Sequence, residues 1–324
     1  MKKPIIVSVI MALIMLLAWD SFAPAQQKQV ESGDAEFYNN RGADYLEKGQ
    51  YDQAISDFDK AIDINPKYVE AYSNRGSAYM NKGQYDQAIY DHTKALEINP
   101  KFAGAYYNRG LAYGNKGQHD QAISDFNKAL EINPRHAEAY NGRGMAYAKK
   151  RGYDQAISDY TKALEINPKY AKAYYDRGSE YAMKGKYDEA IFDFNKAIEV
   201  NPKYAEAYGF RGIIYMGKGQ YDQAISDYTK ALEINPKDVM TYSNRGRTYM
   251  AKGQYDQAIS DYTKALEINP NLALAYYNRG RTYYFKKDKE YDKSWNDIKK
   301  AQDLGYKVPP EFLDDLRKAS GRQN

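Results

Sequence analysis

The sequence contains no cysteine, only two tryptophans and three histidines, and almost no excess charge. Without cysteine the chain can form no disulfide, thiolate metal site or cysteine nucleophile, and no lipid can be attached at a cysteine. A formal net charge of only +4, with basic and acidic residues spread along the chain, disfavours nucleic acid as a partner. The sequence is rich in tyrosine, with 35 residues, and 43% of it is hydrophobic, so a folded protein is expected.

Long apolar runs are also scarce, and the one near the amino terminus has the pattern of an export signal. Two lysines precede the apolar run Ile5 to Ala18, and the small residues Ala23 and Ala25 then allow cleavage before Gln26. This run has 14 residues, whereas a helix needs about 20 apolar residues to span a bilayer. Cleavage is therefore favoured over an uncleaved membrane anchor.

These features divide the amino terminus into a signal peptide, residues 1–25, and a polar linker, residues 26–34. The mature protein is then expected to be exported, either periplasmic or secreted, with no stable membrane span. The alternative is a protein anchored to the inner membrane by its uncleaved amino-terminal segment.

The rest of the chain repeats with a period of 34 residues, marked by recurring Asn-Pro and Arg-Gly pairs. The string YDQAISDYTKALEINP occurs three times without change. Residues 35–304 divide into eight units, which are 35–68, 69–102, 103–136, 137–170, 171–204, 205–238, 239–272 and the divergent 273–304.

Each unit is predicted to form two helices. In the second unit, Glu70 to Lys82 is free of proline, and Gly83 stands where a left-handed residue ends a helix. Asp86 lies in the first turn of the next helix, which ends before Pro100 because the residue preceding proline leaves the helical region. Such a pair cannot bury its apolar stripe alone, so it is expected to stack on its neighbours.

The spacing of large and small residues resembles the tetratricopeptide repeat (TPR) family. In the first unit the matching residues are Tyr38, Gly42, Tyr45, Ala54, Phe58, Ala61 and Pro66. The resemblance covers residues 35–304 and implies an all-α fold, a right-handed α-solenoid (superhelix) of eight helix-turn-helix units. After the eighth unit, Pro310 begins and Gly321 closes a short helix, so residues 305–324 are predicted to be a capping helix and tail.

Two charged positions depart from the family pattern in every unit. The residue before the conserved glycine is arginine, at Arg41, Arg75, Arg109, Arg143, Arg177, Arg211, Arg245 and Arg279. The residue before the second-helix aromatic position is aspartate, at Asp57, Asp91, Asp125, Asp159, Asp193, Asp227, Asp261 and Asp297. We predict a ladder of ion pairs, because each buried cation needs a partner; the alternative is a row of arginines that binds anions.

Residue types that carry catalysis are few. His92, His119 and His136 stand where sister units mostly have an aromatic residue, so they are predicted to be packing residues. No serine has a nucleophile-elbow context, and no glycine-rich phosphate loop follows a strand. We therefore expect no enzyme, no cofactor and no metal site.

The first-helix positions that vary between units share one helical face. In the family this face lines a concave groove, so the resemblance implies a binding surface there. The candidate partner-binding residues are Tyr107, Leu111, Met145, Tyr175, Ile213, Arg247, Tyr277 and Arg281. Tyrosine, methionine and arginine are favoured at protein interfaces, although such residues can also simply pack against the adjacent first helix.

The expected function is a non-catalytic scaffold or adaptor in the bacterial cell envelope, which binds a peptide or a partner helix in this groove. The alternative is a self-associating structural envelope protein, since near-identical units could stack end to end into a homo-oligomer.

Overall fold

The computed structural model describes residues 33–322, which fold into seventeen α-helices and no β-strand. The predicted signal peptide and most of the predicted linker lie outside these residues, so both stay predictions. In chain order the helices are α1 (Ala35–Glu47), α2 (Tyr51–Ile64), α3 (Val69–Asn81), α4 (Tyr85–Ile98), α5 (Ala103–Asn115), α6 (His119–Ile132), α7 (Ala137–Lys149), α8 (Tyr153–Ile166), α9 (Ala171–Met183), α10 (Tyr187–Val200), α11 (Ala205–Gly217), α12 (Tyr221–Ile234), α13 (Val239–Ala251), α14 (Tyr255–Ile268), α15 (Ala273–Phe285), α16 (Tyr291–Asp303) and α17 (Pro310–Ser320).

The chain divides into two compact regions, one ending at Ile132 and the other beginning at Asn133. The first region contains the helices of repeats one to three, and the second contains those of repeats four to eight and α17. Within each region the two helices of a repeat pack together, and the second helix also packs on the first helix of the next repeat. First helices of successive repeats touch as well. The predicted all-α repeat fold is confirmed, and no helix within residues 33–322 is long and apolar enough to cross a membrane.

Close approach of the paired helices depends on the glycine at the eighth place of each first helix. A Cβ atom on Gly144 would lie 2.7 Å from the ring of Tyr160, and one on Gly212 would lie 2.8 Å from the ring of Tyr228. Both rings are almost completely buried. A side chain at the eighth place would therefore push apart the two helices of its own repeat.

The turn inside each repeat uses a left-handed residue, as predicted for Gly83, whose φ is +74°. Repeat four departs from this pattern, because Arg151 takes the left-handed position with φ of 61°. Arginine pays a steric cost there that glycine does not.

The predicted carboxy-terminal helix is present as α17. It begins at Pro310 and is closed by Gly321 in the left-handed conformation. Leu316 is fully buried in a cluster with Tyr277 and Ile298 of the eighth repeat. The Trp295 indole nitrogen also donates a hydrogen bond to Ser320 Oγ over 3.0 Å. α17 thus covers apolar surface of repeat eight.

Candidate protein-binding surface

The paired arginines and aspartates form the predicted ladder. In repeat seven, Arg245 Nε donates to Asp261 Oδ2 over 2.8 Å and Arg245 Nη2 donates to Asp261 Oδ1 over 2.7 Å. Parallel bonds of this kind are the strongest geometry for arginine and carboxylate. The same two-bond pair occurs in all eight repeats, as Arg41–Asp57, Arg75–Asp91, Arg109–Asp125, Arg143–Asp159, Arg177–Asp193, Arg211–Asp227, Arg245–Asp261 and Arg279–Asp297.

A further contact ties this arginine to the repeat before it, and sequence reasoning missed it. Arg245 Nη1 donates to Thr229 Oγ1 over 2.9 Å, and Thr229 lies on the second helix of repeat six. The guanidinium also lies 5.7 Å from the ring centroid of Tyr242 on its own helix. The sequence did contain a sign of this contact. The residue after the second-helix aromatic position is a threonine, asparagine or aspartate in repeats one to seven, and each of these side chains can accept a hydrogen bond.

This arginine row is therefore structural. Burial alone would lower the pKa of Arg245, but its hydrogen bonds to Asp261 raise that pKa above its ordinary value. The guanidinium is held in its charged form, and its donors point at protein acceptors. A row whose charges are already neutralised by Asp261 and its equivalents offers no site for an external anion.

A second pair of arginines behaves differently. Arg247 and Arg281 stand at the ninth place of α13 and α15, two residues beyond the ladder arginines Arg245 and Arg279. In residues 33–322 neither of them is ion-paired with a carboxylate. Arg247 Nη2 lies 3.5 Å from Met216 Sδ, and the Arg281 guanidinium lies 5.5 Å from the ring of Tyr277.

Both arginines lie near a buried hydroxyl. Burial raises the pKa of Tyr262, and the positive charges of Arg247 and Arg281 act on it in the opposite direction. The Tyr262 ring is fully buried, and its hydroxyl has no hydrogen-bond partner in the described part of the chain. Both guanidinium groups therefore bring positive charge close to the interior of repeat seven.

Large apolar side chains are exposed on the neighbouring first helices. Phe210 and Ile213 of α11 are 42% and 41% exposed, and Met240 of α13 is 59% exposed. Exposed apolar groups of this size beside charged ones are typical of a protein-interaction site. Ile213 was among the predicted residues. Phe210 was not, because the sixth place was not counted among the variable positions, and Met240, at the variable second place, was not selected.

Three more predicted residues lie on first helices of repeats three and four. Tyr107 and Leu111 share α5 and are both partly buried, with the Tyr107 ring 6.0 Å from that of Phe126. Met145 of α7 is 38% exposed, and Lys172 Nζ lies 3.5 Å from its sulfur.

Two of the predicted tyrosines are engaged inside the fold. Tyr175 of α9 packs against Phe210 of α11, with 5.6 Å between the ring centroids. Tyr277 is only 7% exposed, because Tyr306 and Phe312 cover its ring at 4.6 and 6.0 Å. The prediction that Tyr277 offers its surface to a partner is therefore wrong, since its ring is buried by the segment that leads into α17 and by the first turn of α17.

Two of the three histidines have clear structural contacts. His92 is fully buried at the aromatic position of α4, beneath Gly76, which agrees with a packing role. His136 instead caps α7, where its Nδ1 accepts a hydrogen bond from the Ala139 amide over 3.3 Å. In residues 33–322 no three histidine, aspartate or glutamate side chains converge as metal ligands would.

This fold and surface define a class, the helical repeat proteins that present a row of first helices. Profiles of the tetratricopeptide repeat match residues 103–136, 137–170, 171–204, 205–238 and 227–260, and TPR repeat profiles match residues 42–83, 76–117 and 246–286. The chain belongs to the tetratricopeptide repeat family. A search of curated proteins gave no significant match.

Two solved structures with TM-scores above 0.5 agree with the fold. A tetratricopeptide repeat protein from Parabacteroides merdae is 27% identical, with a TM-score of 0.57, and the match covers 76% of this chain and 98% of that one. Pseudomonas aeruginosa pilF is 16% identical, with a TM-score of 0.59 over 67% of this chain and 97% of its own. YrrB, described as a TPR protein with an unusual peptide-binding site, is 28% identical over 57% of this chain and 95% of its own, with a TM-score of 0.48.

Proposed function

We propose that this protein is a non-catalytic scaffold of the bacterial cell envelope that binds a peptide or a helix of another protein on its first-helix face. Proteins of this family serve as protein-interaction scaffolds, which supports the coarser part of the proposal. The carrying observation is that Arg247 and Arg281 have no carboxylate partner within residues 33–322, in a chain that pairs every ladder arginine.

The chemistry of the surface fits such a partner. Phe210, Ile213 and Met240 offer apolar area, and the two arginines offer charge-assisted hydrogen bonds to a carboxylate. Apolar anchors combined with arginine are typical of the residues that dominate binding energy at interfaces. The expected partner segment is therefore apolar with acidic residues beside it.

The envelope location rests on the amino-terminal sequence. The apolar run and small-residue cleavage pattern of residues 1–25 support export. Fractionation of the native organism, with amino-terminal sequencing of the purified protein, tests it. A chain beginning at Gln26 outside the cytoplasm is expected, whereas an intact amino terminus in the membrane fraction would support the anchored alternative.

Capture from extract tests the binding face. The bait is the mature chain from Gln26 onward, and the test variant combines Ile213→Ala, Arg247→Ala and Arg281→Ala. A matched control removes one exposed apolar residue and two cations from second helices, through Phe192→Ala, Lys230→Ala and Lys264→Ala. All three proteins are first shown to be equally helical.

The expected result is a protein captured by wild type and by the control but lost with the test variant. Equal capture by all three baits would exclude this face as the binding site. If each bait captured only its own chain, and sedimentation showed growth with concentration, the self-associating alternative would replace the scaffold.

A further inference from the structure

We propose that the gap at Gly209 is a pocket for one large apolar side chain, preferably aromatic, of the bound peptide, and that Arg247 receives a carboxylate beside it. This inference rests on the proposed function and assigns the chemistry of its ligand. The pocket has a volume of about 160 Å³ and lies between α11 and α13. Residues that line it include Gly209, Phe210, Ile213, Met240, Thr241 and Asn244.

Gly209 differs from the packing glycine on the same helix. A Cβ on Gly212 would lie 2.8 Å from the Tyr228 ring, so that glycine is needed for helix contact. A Cβ on Gly209 would meet only Thr241 Oγ1, at 3.9 Å. Glycine inside a helix is unfavourable relative to alanine, and helix packing does not require it at Gly209. Its missing side chain leaves open space.

The preceding repeat shows which side chain fits in that space. Tyr175 occupies the same fifth place, one repeat earlier, and its ring contacts Phe194, Tyr204 and Phe210 at centroid distances of 5.8, 5.1 and 5.6 Å. One period later these neighbours become Tyr228, Asp238 and Asn244. In repeat five this site is filled by the aromatic ring at the fifth place. In repeat six the fifth place is glycine, so the same site stays open as the pocket.

The volume agrees with that occupant. A cavity of about 150 Å³ in a protein interior accepts a benzene ring. The 160 Å³ found here is enough for one aromatic, leucine or methionine side chain. The Phe210 wall is held in place by its edge-on contact with the Tyr175 ring, so the pocket is preformed.

The polar groups at the pocket orient the peptide. In repeat two the sixth-place Asn74 donates to the fifth-place Asn39 of repeat one over 3.0 Å. Asn244 and Gly209 stand at the equivalent places, but Gly209 has no side chain that could accept such a hydrogen bond. In the described part of the chain the Asn244 side-chain amide has no hydrogen-bond partner. That amide can bind the peptide backbone next to the anchor.

Charge then sets the direction of the peptide. Arg247 contacts Met216, which lies one turn beyond the lining residue Ile213, so its guanidinium lies just past that end of the pocket. The exposed carboxylate of Glu206 lines the other end. A carboxylate on the ligand is attracted at the Arg247 end and repelled at the Glu206 end.

Selection from a displayed library of random peptides tests this assignment. The baits are the mature chain, Gly209→Tyr and Gly217→Tyr. Tyrosine already occupies the fifth place in repeats three, five and eight, so the fold accepts Gly209→Tyr. Gly217 lies on the same helix with nothing within 4 Å of a Cβ, which makes it a control of equal bulk.

Wild type and Gly217→Tyr are expected to enrich the same motif, with an aromatic, leucine or methionine residue at one position and an acidic residue beside it. Gly209→Tyr is expected to lose that anchor position. The enriched peptide should bind Gly209→Tyr about tenfold to a hundredfold more weakly, the usual effect of losing one buried apolar side chain. Gly209→Ala should weaken binding less.

Enrichment of the same anchored motif by Gly209→Tyr would overturn the pocket while leaving binding on the first-helix face intact. Failure of wild type to enrich any motif would also overturn the pocket. The capture experiment with the Ile213, Arg247 and Arg281 variant does not depend on Gly209, so it would then decide the proposed function separately.

Discussion

Arg245 and Arg247 lie two residues apart on one helix, and their side chains have very different surroundings. The Arg245 side chain is 17% exposed and is joined to Asp261 and to Thr229 of the preceding repeat. Arg247 is exposed and touches only the Met216 sulfur among the hydrogen-bonding contacts of the described residues. Repetition thus separates two kinds of arginine: the one present in every repeat joins helices and repeats, and the one present in few has no carboxylate partner among the described residues.

The largest expected effect comes from breaking the ladder. Arg245→Ala leaves Asp261 as a buried carboxylate without a partner, which costs about 3–5 kcal/mol. The loss should concentrate in α13 and α14, because repeat proteins unfold locally, and amide hydrogen exchange measures it there. Arg247→Ala should change stability by no more than about 0.5 kcal/mol, as an exposed substitution does.

A double-mutant cycle sharpens this prediction. Arg245→Ala combined with Asp261→Ala should cost less than the sum of the single changes, because neither charge is then left alone. Purely additive losses would contradict a paired ladder.

The second effect is a dependence of stability on pH that is specific to repeat two, the repeat with a histidine at the second-helix aromatic position. Burial, aided by the charge of Arg109, lowers the pKa of His92 from 6.5 to about 3. The unfolded chain binds a proton below pH 6.5 while the folded chain does not. Stability should therefore fall with acidification between those values, by about 1.4 kcal/mol per pH unit.

Exchange of α4 amides across this pH range measures the His92 effect. His92→Phe, which copies Phe58 and Phe126, should remove the additional pH slope. An unchanged slope in that variant would assign the pH dependence to other groups.

A third prediction compares the two glycines of α11. Gly212→Ala should destabilise by about 1–3 kcal/mol, because its methyl group meets the Tyr228 ring. Gly209→Ala should stabilise by about 0.5–1 kcal/mol through helix propensity alone. Thermal melting of the two variants checks both signs, and destabilisation by Gly209→Ala would mean that the gap is required for packing.

The smallest expected effect is at the turn of repeat four. Arg151 has a positive φ where most other repeats have glycine. Arg151→Gly should therefore stabilise the repeat by about 1 kcal/mol, and the reverse change Gly83→Arg should destabilise repeat two by a similar amount. Hydrogen exchange of the flanking helices measures both, and no gain from Arg151→Gly would show that the arginine side chain offsets its backbone strain.

The repeat pattern allowed much of the fold to be predicted, including the helix pairs, the terminal helix and the Arg–Asp pairing. The helix pairs and the Arg–Asp pairing recur in every repeat, and the terminal helix is marked by Pro310 at its start and Gly321 at its end. The contact from Arg245 to Thr229 was not predicted, because it joins two repeats, whereas the Arg–Asp pair lies within one repeat.

The geometry of the candidate binding surface could be predicted only in part. The face and the unpaired Arg247 can be inferred from variation between repeats. The burial of Tyr277 cannot, because it depends on Tyr306 and Phe312, which lie beyond the last repeat and outside its period. The pocket at Gly209 cannot be inferred in this way either. A missing side chain creates a pocket only when the neighbouring residues leave the space open.

Hydrogen–deuterium exchange of the mature protein, with and without its captured partner, tests the central claim most directly. Binding on the first-helix face predicts new protection in α11 and α13, with α12 and α14 unchanged. Protection confined to α12 and α14 would contradict it and place the partner on the second-helix face instead.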